Sequence, residues 1–388
     1  MKDRRHRLTW RSMVGGVIAF LALSACAPAA SPPPAEETGP PATQTGAAAE
    51  EPLPLTAGFV GAIDQIGLPA ALDQGYFEEH GLQVDIRDPY ATGVDMLNAL
   101  EAGEINVAQV GVPAIGAILE GMDLFLLGNY TGSAVQLGID ETMAVVAGED
   151  SGIDPDDLSS LNGKSIGVSI GSINHLYVLA LLEEAGVDPG SVELVNTPPP
   201  EMAVALQTAG VDAIAIWDPW PIIALRDVPG SFEVTRGGGR IAFIGYIVAV
   251  RDWVEQNPDA IERFLAARAQ ADQWIRQNPN DAAQVATRWL PGTDVEIAEQ
   301  AMEFNIRQLD PRFSACNYAA LHRAQELLNE VGAIDGTFDV NERFEPQYIL
   351  NVMEAQPEYF EDLPDIPEEA QISPDYTFDP AADQCPES

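Results

Sequence analysis

The stretch ALDQGYFEEHGLQVDI, residues 71–86, carries the two local signals that decide the fold. Its first residues continue a helix that Leu68-Pro69 opens and that stops at Gly75, and proline near the start with glycine at the end is typical of a short helix. Its last residues, Leu82–Ile86, alternate apolar and polar side chains with a period of two, which indicates a half-buried strand. This stretch therefore predicts a helix followed by a strand.

The same alternation of strands and helices extends in both directions from this stretch. The further predicted strands are Leu55–Gly61, Ile105–Val110, Ser165–Ser169, Val192–Val195 and Val211–Ile216, and the helices between them are Val94–Ala102, Pro113–Leu119, Ile173–Ala185 and Glu201–Thr208. Because this pattern is typical of parallel sheets covered by helices and comes in two blocks, it predicts an α/β protein with two lobes. A ligand then belongs beyond the carboxyl ends of the strands, in a cleft between the lobes.

Two extended apolar stretches, Met143–Ala147 and Ile241–Val250, bracket the second block and are interpreted as the segments that cross between the lobes. From Pro258 onward the pattern is mainly helical. The expected domain bounds are 55–142 together with 251–356 for lobe 1 with its C-terminal helices, 143–250 for lobe 2, and 357–388 for an acidic, proline-rich tail.

The net charge of the chain narrows the possible classes of function. The chain of 388 residues has 60 acidic and 19 basic residues, a formal net charge of −41, and 46% apolar residues, so it can fill two lobes. So large an acidic excess repels phosphate backbones and acidic headgroups, which excludes nucleic acid as a partner. Life in high salt and a codon bias both explain the scarcity of lysine, and both stay open.

The N-terminus has the features of a secretory signal. Residues 1–25 combine a basic start with an apolar run, Met13–Leu23, that is too short to span a bilayer. The run ends in Leu23-Ser24-Ala25-Cys26, which resembles the lipobox of bacterial lipoproteins and implies that Cys26 is lipidated; a chance cysteine behind an ordinary signal is the alternative. Residues 26–54 are rich in proline and alanine and are expected to form an extended tether.

Two cysteines remain, Cys316 and Cys385. Outside the cytoplasm two such thiols more often pair than stay free, so a disulfide is expected, with two separate thiols as the alternative. Cys385 lies in the tail of residues 357–388, which has ten acidic residues, six prolines and no basic residue. That composition gives the tail no evident reason to pack unless the disulfide anchors it.

Three motifs together resemble the SsuA/THI5-like family of ABC-importer substrate-binding proteins, which includes taurine, sulfonate and nitrate binders. They are Ala71–Val84, Leu161–Val168, and Ala205–Ala213 leading into Trp217–Trp220, within a likeness that covers about Leu55–Met353. The resemblance implies a type II periplasmic-binding fold, a monomer that closes on a small solute and passes it to permease and ATPase subunits.

The sequence contains no recognisable set of catalytic residues. The histidines lack the spacing of metal ligands, and no cysteine lies near a histidine, so we expect no metal, no cofactor and no catalytic residue. The resembling family also includes pyrimidine synthases that use pyridoxal phosphate through a lysine. In this chain, however, Lys164 lies in a motif that the binders share, and no cysteine cluster exists.

Helix starts are the first candidates for binding. Gly111-Val112-Pro113 and Gly171-Ser172 each join a strand end to a helix, where unpaired N–H groups and the helix dipole suit an anion. Gly111, Pro113 and Ser172 are therefore predicted ligand-binding residues. The alternative is that both are ordinary turns and that Ser172 caps its own helix.

A carboxylate between two indoles follows the last strand of the second block, in Trp217-Asp218-Pro219-Trp220. Asp218 could pair with an ammonium group, and Trp217 or Trp220 could add a cation–π contact. In the alternative, one tryptophan belongs to the core and Asp218 caps a turn.

Four further candidates have weaker support. Gln65 and Gln109 lie at the ends of the first and third predicted strands and could bond a polar ligand, whereas Tyr130 also fits a surface turn at Asn129–Gly132 and His175 also fits an ordinary helix face.

Together these features predict a lipid-anchored, extracytoplasmic substrate-binding protein of an ABC importer for a small anionic or zwitterionic solute, most plausibly alkanesulfonate or taurine-like. A binder of a pyrimidine thiamin precursor and a receptor subunit for a membrane sensor are the alternatives.

Overall fold

The computed structural model describes residues 51–382, 385 and 386. The predicted signal peptide, Cys26 and nearly all of the predicted tether lie outside the described residues. The tether was expected to reach residue 54, but the first strand already begins at Leu53, which pairs with Leu82.

The strands are β1 (Leu53–Gly58), β2 (Leu82–Ile86), β3 (Val107–Val110), β4 (Leu124–Thr131), β5 (Met143–Ala147), β6 (Ser165–Val168), β7 (Glu193–Asn196), β8 (Ala213–Trp217), β9 (Phe232–Arg236) and β10 (Gly245–Val250). The helices are α1 (Gly67–Asp73), α2 (Tyr76–Glu79), α3 (Gly93–Glu101), α4 (Pro113–Leu119), α5 (Ile173–Glu184), α6 (Pro199–Gln207), α7 (Trp220–Asp227), α8 (Arg251–Gln256), α9 (Pro258–Gln277), α10 (Pro279–Trp289), α11 (Val295–Asn305), α12 (Ala315–Glu330) and α13 (Gln347–Ala355). In the described part of the chain, no helix combines the length and the apolar character that crossing a membrane requires.

Two five-stranded sheets have the same plan. The first has the order β2-β1-β3-β10-β4 and the second β7-β6-β8-β5-β9. In each, three parallel strands adjoin an antiparallel one: β10 against β3, and β5 against β8. The predicted α/β fold with two lobes is confirmed.

The two connections between the sheets are residues 132–142 and 237–244. They lie side by side, because the Ile139 N–H donates to Ile241 O and the Phe243 N–H donates to Ile139 O, both at 3.2 Å. The buried Asp140 carboxylate accepts the N–H groups of Gly239 and Arg240, both at 2.8 Å. Gly239 has a φ of 66°, a backbone conformation that favours glycine.

One expected boundary needs correction. Lobe 2 was expected to end at residue 250, but β10 lies between β3 and β4 and so belongs to the first sheet. Its residues are almost all buried on both faces, so hydrophobicity alone does not reveal which sheet the strand joins. The second crossing therefore ends before Gly245. The interpretation of Met143–Ala147 as the first crossing is also wrong, because these residues form β5, which pairs with β8 and β9 within the second sheet.

The C-terminal helices support the first sheet. Helix α9 packs on α1, α2 and α13, and Phe264 stacks on Phe77 with ring centroids 5.3 Å apart. The same helix buries the guanidinium of Arg268 completely, and Asp272 pairs with it at 3.1 Å.

The acidic tail packs along its length instead of hanging from one anchor. The structure joins Cys316 of α12 to Cys385 in a disulfide. Upstream of that bond, Arg276 forms an ion pair with Asp362 at 2.7 Å, and Phe378 is buried. The tail thus has partners that its composition alone does not reveal.

Candidate functional site

A small cavity of about 40 Å³ lies where the carboxyl ends of strands from both sheets meet. Most of the predicted binding residues line it, five from lobe 1 and two from lobe 2. They are Gln65, Gln109, Gly111, Pro113, Tyr130, Ser172 and Trp217. The position agrees with the rule that ligands bind outside the carboxyl ends of parallel strands.

The two glutamines form part of the cavity wall, but their amide groups are already engaged. Gln65 accepts the N–H of Val60 at 2.7 Å and donates to the Tyr130 hydroxyl at 3.2 Å. Gln109 donates to Gln65 O at 3.0 Å and accepts from Arg268 Nε at 3.0 Å. Both amides therefore shape the wall and hold Tyr130 in position.

Tyr130 belongs to β4 and is 4% exposed, so its interpretation as part of a surface turn is wrong. Burial and the nearby charge of Asp64 raise the pKa of its hydroxyl well above the usual value. The hydroxyl therefore stays protonated and can donate a hydrogen bond.

Gly111 links β3 to α4, which Pro113 begins. A Cβ atom at residue 111 would collide with the carbonyl oxygen of Ile244, a backbone atom that cannot swing aside. Glycine is needed because the two chain segments approach so closely here.

Lobe 2 contributes Ser172 and Trp217. Ser172 is the N-cap residue of α5, yet its hydroxyl makes no capping hydrogen bond in the described structure, so the interpretation of Ser172 as a helix cap is wrong. Trp217 ends β8, is 8% exposed, and has an indole Nε1–H with no partner among the described residues. Both therefore face the cavity with unused hydrogen-bonding groups.

The structure does not place Asp218, Trp220 and His175 among the described residues that line the cavity. Asp218 is fully buried and pairs with Arg236 at 2.7 Å, because consecutive side chains at the end of a strand point to opposite faces. Its neighbour Trp220 starts α7 and donates from Nε1 to Gly61 O at 2.9 Å.

His175 is buried within α5, where its Nδ1 accepts the Gly171 N–H at 3.2 Å. Burial lowers the pKa of this imidazole, which favours the neutral form. It therefore holds the loop before the helix.

Asp64 is the residue that sequence analysis missed. It lies in a short 3-10 turn, Ile63–Gln65, is 3% exposed, lines the cavity, and its Oδ1 has no partner among the described residues. Burial raises the pKa of Asp64 to about 7; a hydrogen bond from its own backbone lowers the pKa, and the charge of Asp218 raises it. The available signal was an acidic residue within the apolar run Ala62–Ile66, directly after a strand.

No basic side chain is among the described residues that line the cavity. Asp64 is the one acidic residue there, and the aromatic rings of Tyr130, Trp217 and Phe243 supply much of the wall. The arrangement can bind a small polar molecule, and it contains no nucleophile paired with a base.

The two sheets and the cavity between them define a two-lobed α/β protein with the fold of periplasmic binding proteins. The chain belongs to the NMT1-like family, whose sequence model matches residues 48–290, more than half of the chain. The resemblance inferred from the motifs is thereby confirmed.

Relatives and solved structures agree with this assignment. The taurine-binding periplasmic protein of Escherichia coli is 25% identical over 240 residues, which cover 58% of this chain and 70% of that protein. The alkanesulfonate-binding protein SsuA from Xanthomonas axonopodis pv. citri, solved bound to MOPS, has a TM-score of 0.65 at 20% identity and covers 74% of this chain and 96% of that one.

An enzyme shares the fold. The desulfurization enzyme DSZB has a TM-score of 0.61 at 18% identity and covers 78% of this chain and 99% of that one. A likeness at that identity concerns the fold alone.

Proposed function

We propose that this protein is the extracytoplasmic solute-binding component of an ABC importer. It captures a small anionic or zwitterionic solute of the alkanesulfonate or taurine type and delivers it to a membrane permease. The observation that carries the proposal is the cavity between the lobes. There, Asp64 and Trp217 have polar atoms without a partner among the described residues, and the Ser172 hydroxyl makes no capping hydrogen bond to those residues.

The family supports the proposed class of solute. A taurine-binding protein and an alkanesulfonate-binding protein are both similar to this chain, and both are binding proteins. In the cavity, polar groups that already form hydrogen bonds within the protein shape the wall. A few polar groups without a partner among the described residues are left for the ligand, as in most small-molecule sites.

The size of the cavity suggests how the solute enters. A volume of about 40 Å³ accommodates only a few water-sized groups. We infer that the lobes separate about the paired connections at 132–142 and 237–244 to admit a solute and close again around it.

A thermal-shift screen tests this function. The protein is mixed with taurine, ethanesulfonate, nitrate, a thiamin-type pyrimidine and amino acids, and a bound solute raises the melting temperature because it binds the native state. We expect a concentration-dependent rise with taurine or a sulfonate. A rise with the pyrimidine alone would favour the alternative solute, and no rise with any of them would contradict the proposal.

We also propose that the protein is anchored through a lipid on Cys26, since Leu23-Ser24-Ala25-Cys26 follows a basic start and an apolar run. The disulfide between Cys316 and Cys385 supports an oxidising compartment outside the cytoplasm. Cys26→Ala should abolish lipid labelling and partition into detergent, while the control Ser31→Ala should retain both. Unchanged partition of Cys26→Ala would contradict the anchor.

A further inference from the structure

We propose that the cavity selects a zwitterion: the Asp64 carboxylate of lobe 1 binds the solute's ammonium group, and the Trp217 indole N–H and the Ser172 hydroxyl of lobe 2 bind its anionic end. The inference rests on the proposed function, because it assumes that a solute occupies the cavity. The inference also identifies Asp64 as the residue that distinguishes an aminosulfonate from a plain sulfonate.

The case for Asp64 begins with its unused oxygen. The side chain is 3% exposed, Oδ1 has no partner among the described residues, and the cavity that it lines contains no basic side chain. A buried carboxylate is costly unless a cation or several hydrogen bonds stabilise it. A ligand ammonium group supplies both a positive charge and N–H donors.

The nearest protein charges do not supply that cation. Asp218, which faces Asp64 from the turn after β8, is negative and raises the pKa of Asp64. The guanidinium of Arg236 is already paired with Asp218 at 2.7 Å and with Glu233 at 3.0 Å. Below about pH 7 the raised pKa favours a protonated Asp64, and an arriving ammonium group favours ionisation instead.

Lobe 2 offers donors to the same cavity. Trp217 is 8% exposed, and its Nε1–H has no partner among the described residues. Ser172 also lines the cavity, and its hydroxyl makes no capping hydrogen bond to the described residues at the start of α5, a helix of 12 residues whose first N–H groups point out of the helix end. This side suits a sulfonate or carboxylate.

Each lobe therefore supplies one pole. A zwitterion that touches Asp64 of lobe 1 and Trp217 of lobe 2 makes its full set of contacts only when the lobes are closed. A plain sulfonate satisfies lobe 2 and leaves the Asp64 carboxyl without a partner. The ammonium group of the solute therefore determines whether the site prefers it to a plain sulfonate.

A protonated Asp64 could instead donate a hydrogen bond to an anion. The substitution Asp64→Asn separates the two chemistries, since asparagine keeps a neutral donor and loses the negative charge.

The experiment is calorimetric titration at pH 8 with taurine and with ethanesulfonate. Wild type is compared with Asp64→Asn, Asp64→Glu, Trp217→Phe and the exposed control Asp259→Asn. Asp64→Asn should weaken taurine by about 10- to 100-fold, the range of a hydrogen bond to a charged group, and change ethanesulfonate less than about threefold. Asp64→Glu should regain part of the taurine affinity, and Asp259→Asn should match wild type.

Trp217→Phe keeps an aromatic ring and removes the N–H. It should weaken both ligands by similar factors, since both carry the anionic end. Melting curves with ethanesulfonate show that each variant is folded and binds.

The outcomes separate the inference from the proposed function. If wild type binds ethanesulfonate as tightly as taurine, or if Asp64→Asn weakens both ligands equally or neither, the inference is overturned and the solute-binding function stands. If wild type binds no member of the screened solute set, the proposed function fails and the inference fails with it.

Discussion

The charge on Asp64 should make the stability of the unliganded protein depend on pH. Burial raises the pKa of this carboxyl from 3.8 to about 7. A carboxyl whose pKa is higher in the folded state stabilises the fold fully below pH 3.8, and this contribution is lost as the pH rises through 7. The shift of about 3 pH units corresponds to about 4 kcal/mol, at 1.36 kcal/mol per unit.

Asp64→Asn removes this ionisation. We therefore expect the free energy of unfolding of the variant, relative to wild type, to increase between pH 5 and pH 8.5 by about 3 kcal/mol, because part of the total of about 4 kcal/mol is already lost below pH 5. The assay is urea denaturation of both proteins without ligand at four pH values, with Asp259→Asn as the exposed control. Asp218, whose pKa burial also raises to about 7, interacts with Asp64 through charge, so the difference contains the ionisation of Asp64 and the smaller change that its removal causes at Asp218. A difference that stays constant with pH, or that falls as the pH rises, would refute the reasoning.

Three further predictions concern groups around the site and the tail. Asp218→Asn should leave the affinities for taurine and ethanesulfonate near those of wild type in calorimetry, because its carboxylate is ion-paired with Arg236 and does not line the cavity; a selective loss of taurine would contradict this. Arg268→Met should lower the free energy of unfolding by about 3–5 kcal/mol, since it leaves Asp272 buried and unpaired, and Arg268→Met with Asp272→Leu should recover most of that loss in urea denaturation. Replacing Cys316 and Cys385 by alanine should lower the free energy of unfolding by about 2–4 kcal/mol, as the bond closes a loop of 69 residues, whereas an unchanged denaturation midpoint would show that the tail contacts suffice.

Local signals predicted the elements well where one sequence feature determines one structural feature. Leu82–Ile86 forms a strand with the predicted bounds, and Pro113–Leu119 forms a helix with the predicted bounds, since alternation and an initial proline act within a few residues. Which of the two sheets β10 joins, in contrast, depends on the whole fold. An apolar strand that is buried on both faces fits either sheet equally well, and so the sequence misplaced it.

Site residues were predictable where their position on a strand or helix determines the direction of the side chain. Gln109 lies near the end of β3 and Ser172 follows β6, and the structure brings them to the same cavity. Asp218 and Trp220 were chosen for their chemistry, but the helix α7 that begins at Trp220 went unrecognised, and with it the direction of both side chains. Asp64 was missed because an acidic residue in a short turn usually faces solvent, and only the tertiary fold buries it.

The most direct test of the central claim is a crystal structure of the protein grown with taurine. The account predicts one taurine between the lobes, with its ammonium nitrogen at hydrogen-bonding distance from the Asp64 carboxylate and its sulfonate against the Ser172 hydroxyl and the Trp217 Nε1. A taurine bound in the reverse orientation, a taurine bound only on the outer surface, or a closed cavity that holds none would contradict the account.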